Sequence, residues 1–245
     1  RALEGFWVEL VEAVNDSGLT VLAVDTPSGL NADTGEPMGA AVRADVTVTF
    51  GGPKLGLLEN HAAEFVGRLE TATDIGLIQF PEQKGLDWLL PEDFEGFLPS
   101  RPVNSHKGTF GHLGIIAGSM GFHGAAVLAA RAAQRAQPGL ITLLAPENVY
   151  RPVASQLRAQ MVQPWTANSI GQLNHCTALL AGPGLANKEL PGELRNEIVR
   201  VWHEDERPVI LDASTLDWLK EGETPKGALR VITPHPGEAA RLLKL

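Results

Sequence analysis

Five short apolar runs, each closed by a turn, set the strongest limit on how this chain folds. They are Leu113–Ala117, Leu140–Leu144, Ala178–Ala181, Val209–Leu211 and Arg230–Thr233. Between them, Gly124–Gln137 is an alanine-rich helical stretch, and Leu190–His203 sets Leu194, Ile198 and Val201 on one face at helical spacing. Short apolar strands alternating with helices predict an α/β fold with a parallel sheet covered on both faces. Two earlier runs rich in Val and Thr, Thr20–Asp25 and Ala44–Phe50, also end in turns and predict strands of a separate unit. Phe6, Leu10 and Val14, four apart, read as a helix in progress, and the last ten residues from Pro236 read as a helix just begun. On that reading the 245 residues are expected to be the middle of a longer protein.

Charge divides the chain further. Residues 1–104 hold 6 Lys and Arg against 17 Asp and Glu, whereas residues 105–245 hold 14 against 12. Two units are therefore expected, residues 1–80 and 105–245, with residues 81–104 as a linker punctuated by Pro81, Pro91, Pro99 and Pro102. The overall net charge of −9 argues against sequence-independent nucleic-acid binding, which needs clustered Lys and Arg against phosphate. No apolar run approaches the ~18 residues of a membrane span, and no secretory leader is read at the start. Cys176 is the only cysteine, so no internal disulfide is available and a reducing, cytoplasmic setting is expected. Beside a strand it reads as a small packing residue. The sequence carries no CxxC, HExxH or GxSxG pattern. His61, His112, His123, His175 and His203 share no spacing and are read as surface or packing residues.

In open parallel sheets ligands bind at the carboxyl ends of the strands, so the residues just after each run matter most. Asp25 follows Val21-Leu-Ala-Val24 and precedes the turn Thr26-Pro-Ser-Gly29; a partly desolvated carboxylate there serves as a general base, or else bonds the turn amides. Gly118, Gly121 and Gly124 join a strand to the alanine-rich helix, where close backbone approach and free helix N–H groups suit an anionic ligand. A plain packing turn is the alternative. Gly182 and Gly184 form a second glycine turn of the same ambiguity. His235 is braced between Pro234 and Pro236, which makes its direction matter. Asp212 either binds substrate or caps the next helix.

Order and spacing carry more than any one motif. Val24-Asp-Thr-Pro-Ser-Gly-Leu-Asn-Ala-Asp-Thr-Gly35, Ala44–Phe50 and Pro53-Lys54 resemble the second half of the NAD(P)H-hydrate epimerase (YjeF N-terminal) domain. His106-Lys-Gly-Thr-Phe-Gly111, Gly118–Ala125, Gly182-Pro-Gly-Leu185, Leu211-Asp-Ala213 and Thr233-Pro-His-Pro-Gly-Glu238 resemble the ADP-dependent NAD(P)H-hydrate dehydratase domain. The resemblance implies a partial Rossmann-like epimerase domain followed by a ribokinase-like αβα dehydratase domain. It implies repair of NADH hydrate and NADPH hydrate, with ADP or ATP as phosphoryl donor, potassium, and magnesium for the dehydratase. It places Asp25 on the epimerase substrate as the catalytic residue, and Ser28 on a potassium-ligand position. Ala125, Gly184 and His235 fall on hydrate-binding positions, with Gly118, Gly121, Gly124, Gly182 and Asp212 around them. A homo-oligomer is compatible with it.

Two other readings stay open: a ribokinase-like small-molecule kinase, and a non-catalytic dinucleotide-binding protein. Ser214 and Pro138 depart from the family's usual residues. The family's Asn-Asn-Gly-Gly-Asp loop and Gly-Thr-Gly-Asp segment have no counterpart in the 245 residues. The chain alone is therefore expected to be inactive: incubated with mixed hydrates and ADP it should regenerate no NAD(P)H, and substantial turnover would refute this.

Overall fold

The computed structural model describes residues 2–76, 88–97, 100–166, 169–186 and 190–245. The chain divides into two units, Arg1–Glu95 and Gly96–Leu245. Of the expected linker, residues 81–87 and 98–99, with Pro81 and Pro99, lie outside the described residues. Pro91 opens a 3-10 turn, Pro91–Phe94, in which Asp93 accepts from the Leu90 N–H at 2.7 Å.

Unit 1 holds α1 (Phe6–Asp16), β1 (Leu22–Val24), β2 (Val46–Phe50), α2 (Ala63–Val66) and β3 (Arg68–Ala72). Its strands form a parallel sheet in the order β1-β2-β3, with Val24 opposite Val48 and Phe50 opposite Ala72. The threonine face of β2 is the buried one: Thr47 and Thr49 are fully enclosed, and the Thr47 hydroxyl donates to the Val66 carbonyl at 2.7 Å. A buried hydroxyl needs such a partner. The helix marked by Phe6, Leu10 and Val14 is present as α1. Phe6 and Leu10 are exposed, and the helix docks instead through buried Val11 and through Asn15, whose amide brackets Ala41 O and Arg43 N at 3.0 and 2.8 Å. Val11 and Asn15 are four apart, so the docking face is the neighbouring helical row.

Unit 2 holds β4 (His112–Ile116), α3 (His123–Arg135), β5 (Leu140–Pro146), α4 (Glu147–Ala154), β6 (Met161–Trp165), β7 (Ala178–Ala181), α5 (Gly192–Glu204), β8 (Val209–Leu211), β9 (Arg230–Ile232) and α6 (Pro236–Leu243). Its six strands are all parallel, in the order β6-β5-β4-β7-β8-β9. Alternation along β4 divides the interior. Ile115 and Ala117 join Ala126, Ala130 and Val149 on one face; Ile116 joins Leu194, Ile198 and Leu211 on the other. The unit is thus an αβα sandwich, as the apolar runs require.

The five expected strands of this unit are present within a residue or two, as are both helices. Two elements escape the sequence pattern, and both contain proline. β6 carries Pro164, which an edge strand tolerates because one side of its ladder is unpaired. α4 carries Pro152 in its interior. In unit 1, β3 escapes too, because Arg68 and Glu70 interrupt its apolar character.

Candidate functional site

Parallel alignment brings the post-strand loops of each unit to one sheet edge. In unit 1, Asp25 leaves β1 at φ +69°, a left-handed conformation that only Asn and Asp among larger residues adopt at all readily. Because β1 and β2 run parallel in register, the end of β2 lies beside it. Asp25 Oδ1 accepts from the Phe50 N–H at 3.2 Å and pairs with the Lys54 ammonium. Lys54 also donates to Thr49 Oγ1 at 3.0 Å and Phe50 O at 3.4 Å. The Lys54 hydrogen bond is the main reason the Asp25 carboxyl sits below the usual carboxylate range; burial opposes it and the Phe50 N–H assists. The alternative in which Asp25 serves only its own turn is not what the geometry shows, since its partners come from β2 and the segment beyond.

Ser28 is exposed, and its carbonyl accepts from Val42 N–H at 2.9 Å. Its hydroxyl offers a cation a single oxygen, where potassium takes several. Gly29, at φ +90°, admits no side chain, since a Cβ would stand 1.9 Å from Ala40 O. This fixes the turn on which both Asp25 and Ser28 ride.

In unit 2 the loops after β4 and β7 are fastened to each other. Gly118 N–H donates to Pro183 O at 2.8 Å, and the buried Ser119 hydroxyl donates to Gly184 O at 2.6 Å. Gly184 is at φ +72°, and a Cβ there would lie 2.4 Å from Phe122 O and 2.9 Å from the Ala125 methyl. Ala125, Gly118 and Gly184 therefore meet. Gly182 extends the group, because its missing Cβ leaves room for Asp212 O, 1.8 Å from where that atom would be. The Asp212 carboxylate accepts from the Thr233 hydroxyl at 2.7 Å, which ties the end of β8 to the end of β9. Asp212 stands at the N-cap of the 3-10 helix Ala213–Trp218, but its carboxylate makes no cap hydrogen bond, so the capping alternative is corrected as to its side chain. Gly121 and Gly124 face open space.

His235 is turned toward its own helix. Its Nδ1 accepts from Gly237 N–H at 3.2 Å, and Glu238 answers by accepting from the His235 N–H at 3.0 Å, a capping box at the start of α6. The ring remains largely exposed, with Nε2 3.4 Å from Glu238 Oε1.

Sequence reasoning passed over two features. Lys54 and Thr49 complete the Asp25 site; the signal was Lys54 just past the glycine turn that ends β2. At the carboxyl edge of unit 2, a cavity of about 250 Å³ is lined by Ser119, Met120, Pro146, Asn148, Trp165 and Leu190. The Trp165 indole N–H is buried and has no partner among the described residues. An acceptor on a ligand there would satisfy it. The volume is just below that of ordinary ligand pockets, roughly 300–1,000 Å³.

Two tests probe these geometries. Removing the ammonium in Lys54→Met should raise the Asp25 titration midpoint, followed by carboxyl NMR. Asp25 contributes stability above its unfolded pKa and loses it as pH falls through the lower folded value, so the variant should lose that acid-side dependence. An unmoved midpoint would show that Lys54 does not hold the carboxylate. Gly184→Ala, which meets backbone, should destabilise unit 2 by about 2 kcal/mol or more in urea unfolding, whereas Gly121→Ala bears only the strain of its positive φ, of order 1 kcal/mol. Equal losses would refute the close approach.

The comparisons with known proteins agree with this architecture. Residues 113–245 match the family model for NAD(P)H-hydrate dehydratase, and residues 1–56 match that of the YjeF-related protein N-terminus. The bifunctional NAD(P)H-hydrate repair enzyme Nnr of Coxiella burnetii is 37% identical over 96% of this chain and 48% of its own length. The chain spans about half the length of the curated relatives it matches. The ADP/ATP-dependent NAD(P)H-hydrate dehydratase of Bacillus subtilis, crystallised with ATP and Mg2+, is 31% identical with a TM-score of 0.52, covering 62% of this chain and 54% of its own. A ribokinase-like superfamily protein of Enterococcus faecalis, 23% identical with a TM-score of 0.57, covers 69% of this chain and 60% of its own and speaks to the fold alone. With its family model spanning more than half of the residues, the chain belongs to the NAD(P)H-hydrate dehydratase family, preceded by a YjeF-type segment.

Proposed function

We propose that this chain serves the repair of NADH and NADPH hydrates, unit 1 contributing to epimerisation of the R and S forms and unit 2 to ADP-dependent dehydration of the S form. The observation that carries the reading is the pair of glycine loops after β4 and β7, fastened by Ser119 to Gly184 and by Gly118 to Pro183. Such a cradle lets a large anionic dinucleotide lie against main chain. Ala125, Gly184 and His235 hold the hydrate, with Gly118, Gly121, Gly124, Gly182 and Asp212 shaping the walls. The Trp165 cavity beside Ser119 receives one end of the ligand.

The chemistry explains the need for a nucleotide. Hydroxide is a poor leaving group. Transfer of a phosphoryl group from ADP or ATP to the added hydroxyl makes it a phosphate, whose departure with loss of a ring proton restores the nicotinamide. Magnesium would accompany the nucleotide, as it does in the Bacillus subtilis protein's crystals. In unit 1, Asp25 enters as an acceptor for the substrate, since Lys54 keeps it ionised. Ser28 is at most one potassium ligand. The reading is of a cytoplasmic enzyme acting on small molecules, not on nucleic acid or membranes, and a homo-oligomer accords with it.

His235 has two tasks on this reading, and they separate. Asn caps a helix well, so His235→Asn should keep the wild-type unfolding temperature yet weaken NADPH-hydrate binding about tenfold by calorimetry, whereas His235→Ala should lose both. Epimerisation, where measured, should be untouched by either. Unchanged hydrate affinity in His235→Asn would reject the role.

A further inference from the structure

The other end of β4 holds a cluster that the repair chemistry does not use. His112 is the first residue of the strand. Its backbone is laced to residue 177: Thr177 N–H donates to His112 O at 2.8 Å, and His112 N–H donates to Thr177 Oγ1 at 2.9 Å. The β4–β7 register therefore draws the segment just before β7, with His175 and Cys176, against the His112 ring. The rings of His112 and His175 lie 4.6 Å apart between centroids. One nitrogen from each and the Cys176 sulfur all fall within 4.8 Å of one another.

We propose that His112, His175 and Cys176 bind one zinc-type divalent transition metal ion. Two imidazoles and a thiolate are the donor set such an ion prefers. Tetrahedral bonds to nitrogen and sulfur place ligand atoms about 3.5 Å apart, so closure requires a contraction of roughly 1 Å. His175 is exposed and free to swing by that amount, while His112 and Cys176 are buried and fixed.

The surroundings support the same reading. His112 Nε2 lies 2.8 Å from the hydroxyl of buried Thr142. When Nε2 donates to that oxygen, Nδ1 carries the lone pair a metal takes, the outer-partner arrangement common to metal-bound histidines. Arg207 donates to the carbonyls of Leu173 and Cys176 at 2.5 and 3.0 Å, and so pins the segment that bears two of the ligands. Its charge is offset by Asp205, which it meets at 2.5 and 2.8 Å. Ion binding replaces the thiol proton of Cys176, which passes to solvent, and leaves a fourth position open to water on the His175 side.

The test is titration of the reduced protein, free of affinity histidines, with Co2+ and then Zn2+. One equivalent of Co2+ should produce a near-ultraviolet thiolate-to-cobalt band, and Zn2+ should abolish it. Cys176→Ser should lack the band. His175→Ala changes an exposed side chain and leaves the fold intact; it should weaken Co2+ binding at least about tenfold, since even outer partners of a metal act on that scale. Absence of the band at saturating Co2+, or equal affinity in His175→Ala and the parent, would overturn the proposal.

Discussion

The pairing of β4 with β7 is the constraint on which the rest of unit 2 depends. It sets two glycine loops side by side at one end of the strands and a histidine–cysteine cluster at the other. Neither grouping could exist if the strands slipped by a residue, because a slip would exchange the faces on which Ile115 and Ile116 are buried. Both isoleucines are almost wholly enclosed, in opposite cores, so the register is locked by apolar burial on each side. A parallel strand then delivers its polar termini as a by-product of its packing.

Legibility in the sequence followed from how each element is stabilised. Strands buried on both faces announce themselves as unbroken apolar runs, which is why β4, β5, β7 and β8 are readable; β9, an edge strand with Ile232 exposed, is read from Val231-Ile232 and the proline turn that follows. Elements at margins were not: β6 takes a proline because it is an edge, and β3 alternates charged residues with partly buried ones. The same contrast holds at the sites. Residues directly after a strand, such as Asp25 and Gly118, could be named from position. Thr49 and the His112–His175–Cys176 group could not, because strand pairing brings them to their partners, and Lys54 carries a signal only in its place just past the turn that ends β2. In α1, periodicity finds the helix but not its docking face, which is formed by Val11 and the Asn15 hydrogen bonds.

The two units solve the problem of presenting polar groups in different ways. Unit 1 uses side chains, with a carboxylate, an ammonium and a threonine hydroxyl held around the ends of two strands. Unit 2 uses mostly main chain, exposed by glycines whose positive φ angles and crowded Cβ positions exclude other residues. Ser119, Asp212, Thr215 and Thr233 add side-chain fastening there, tying one strand end to the next.

That difference bears on how the two units respond to their surroundings. Peptide N–H and carbonyl groups have no proton to gain or lose near neutrality, so a surface built from them keeps one electrostatic character across the physiological range. The Asp25–Lys54 pair, by contrast, changes its charge when the carboxylate is protonated. Acidity therefore acts on the Asp25–Lys54 pair without altering the main-chain groups of the unit 2 loops.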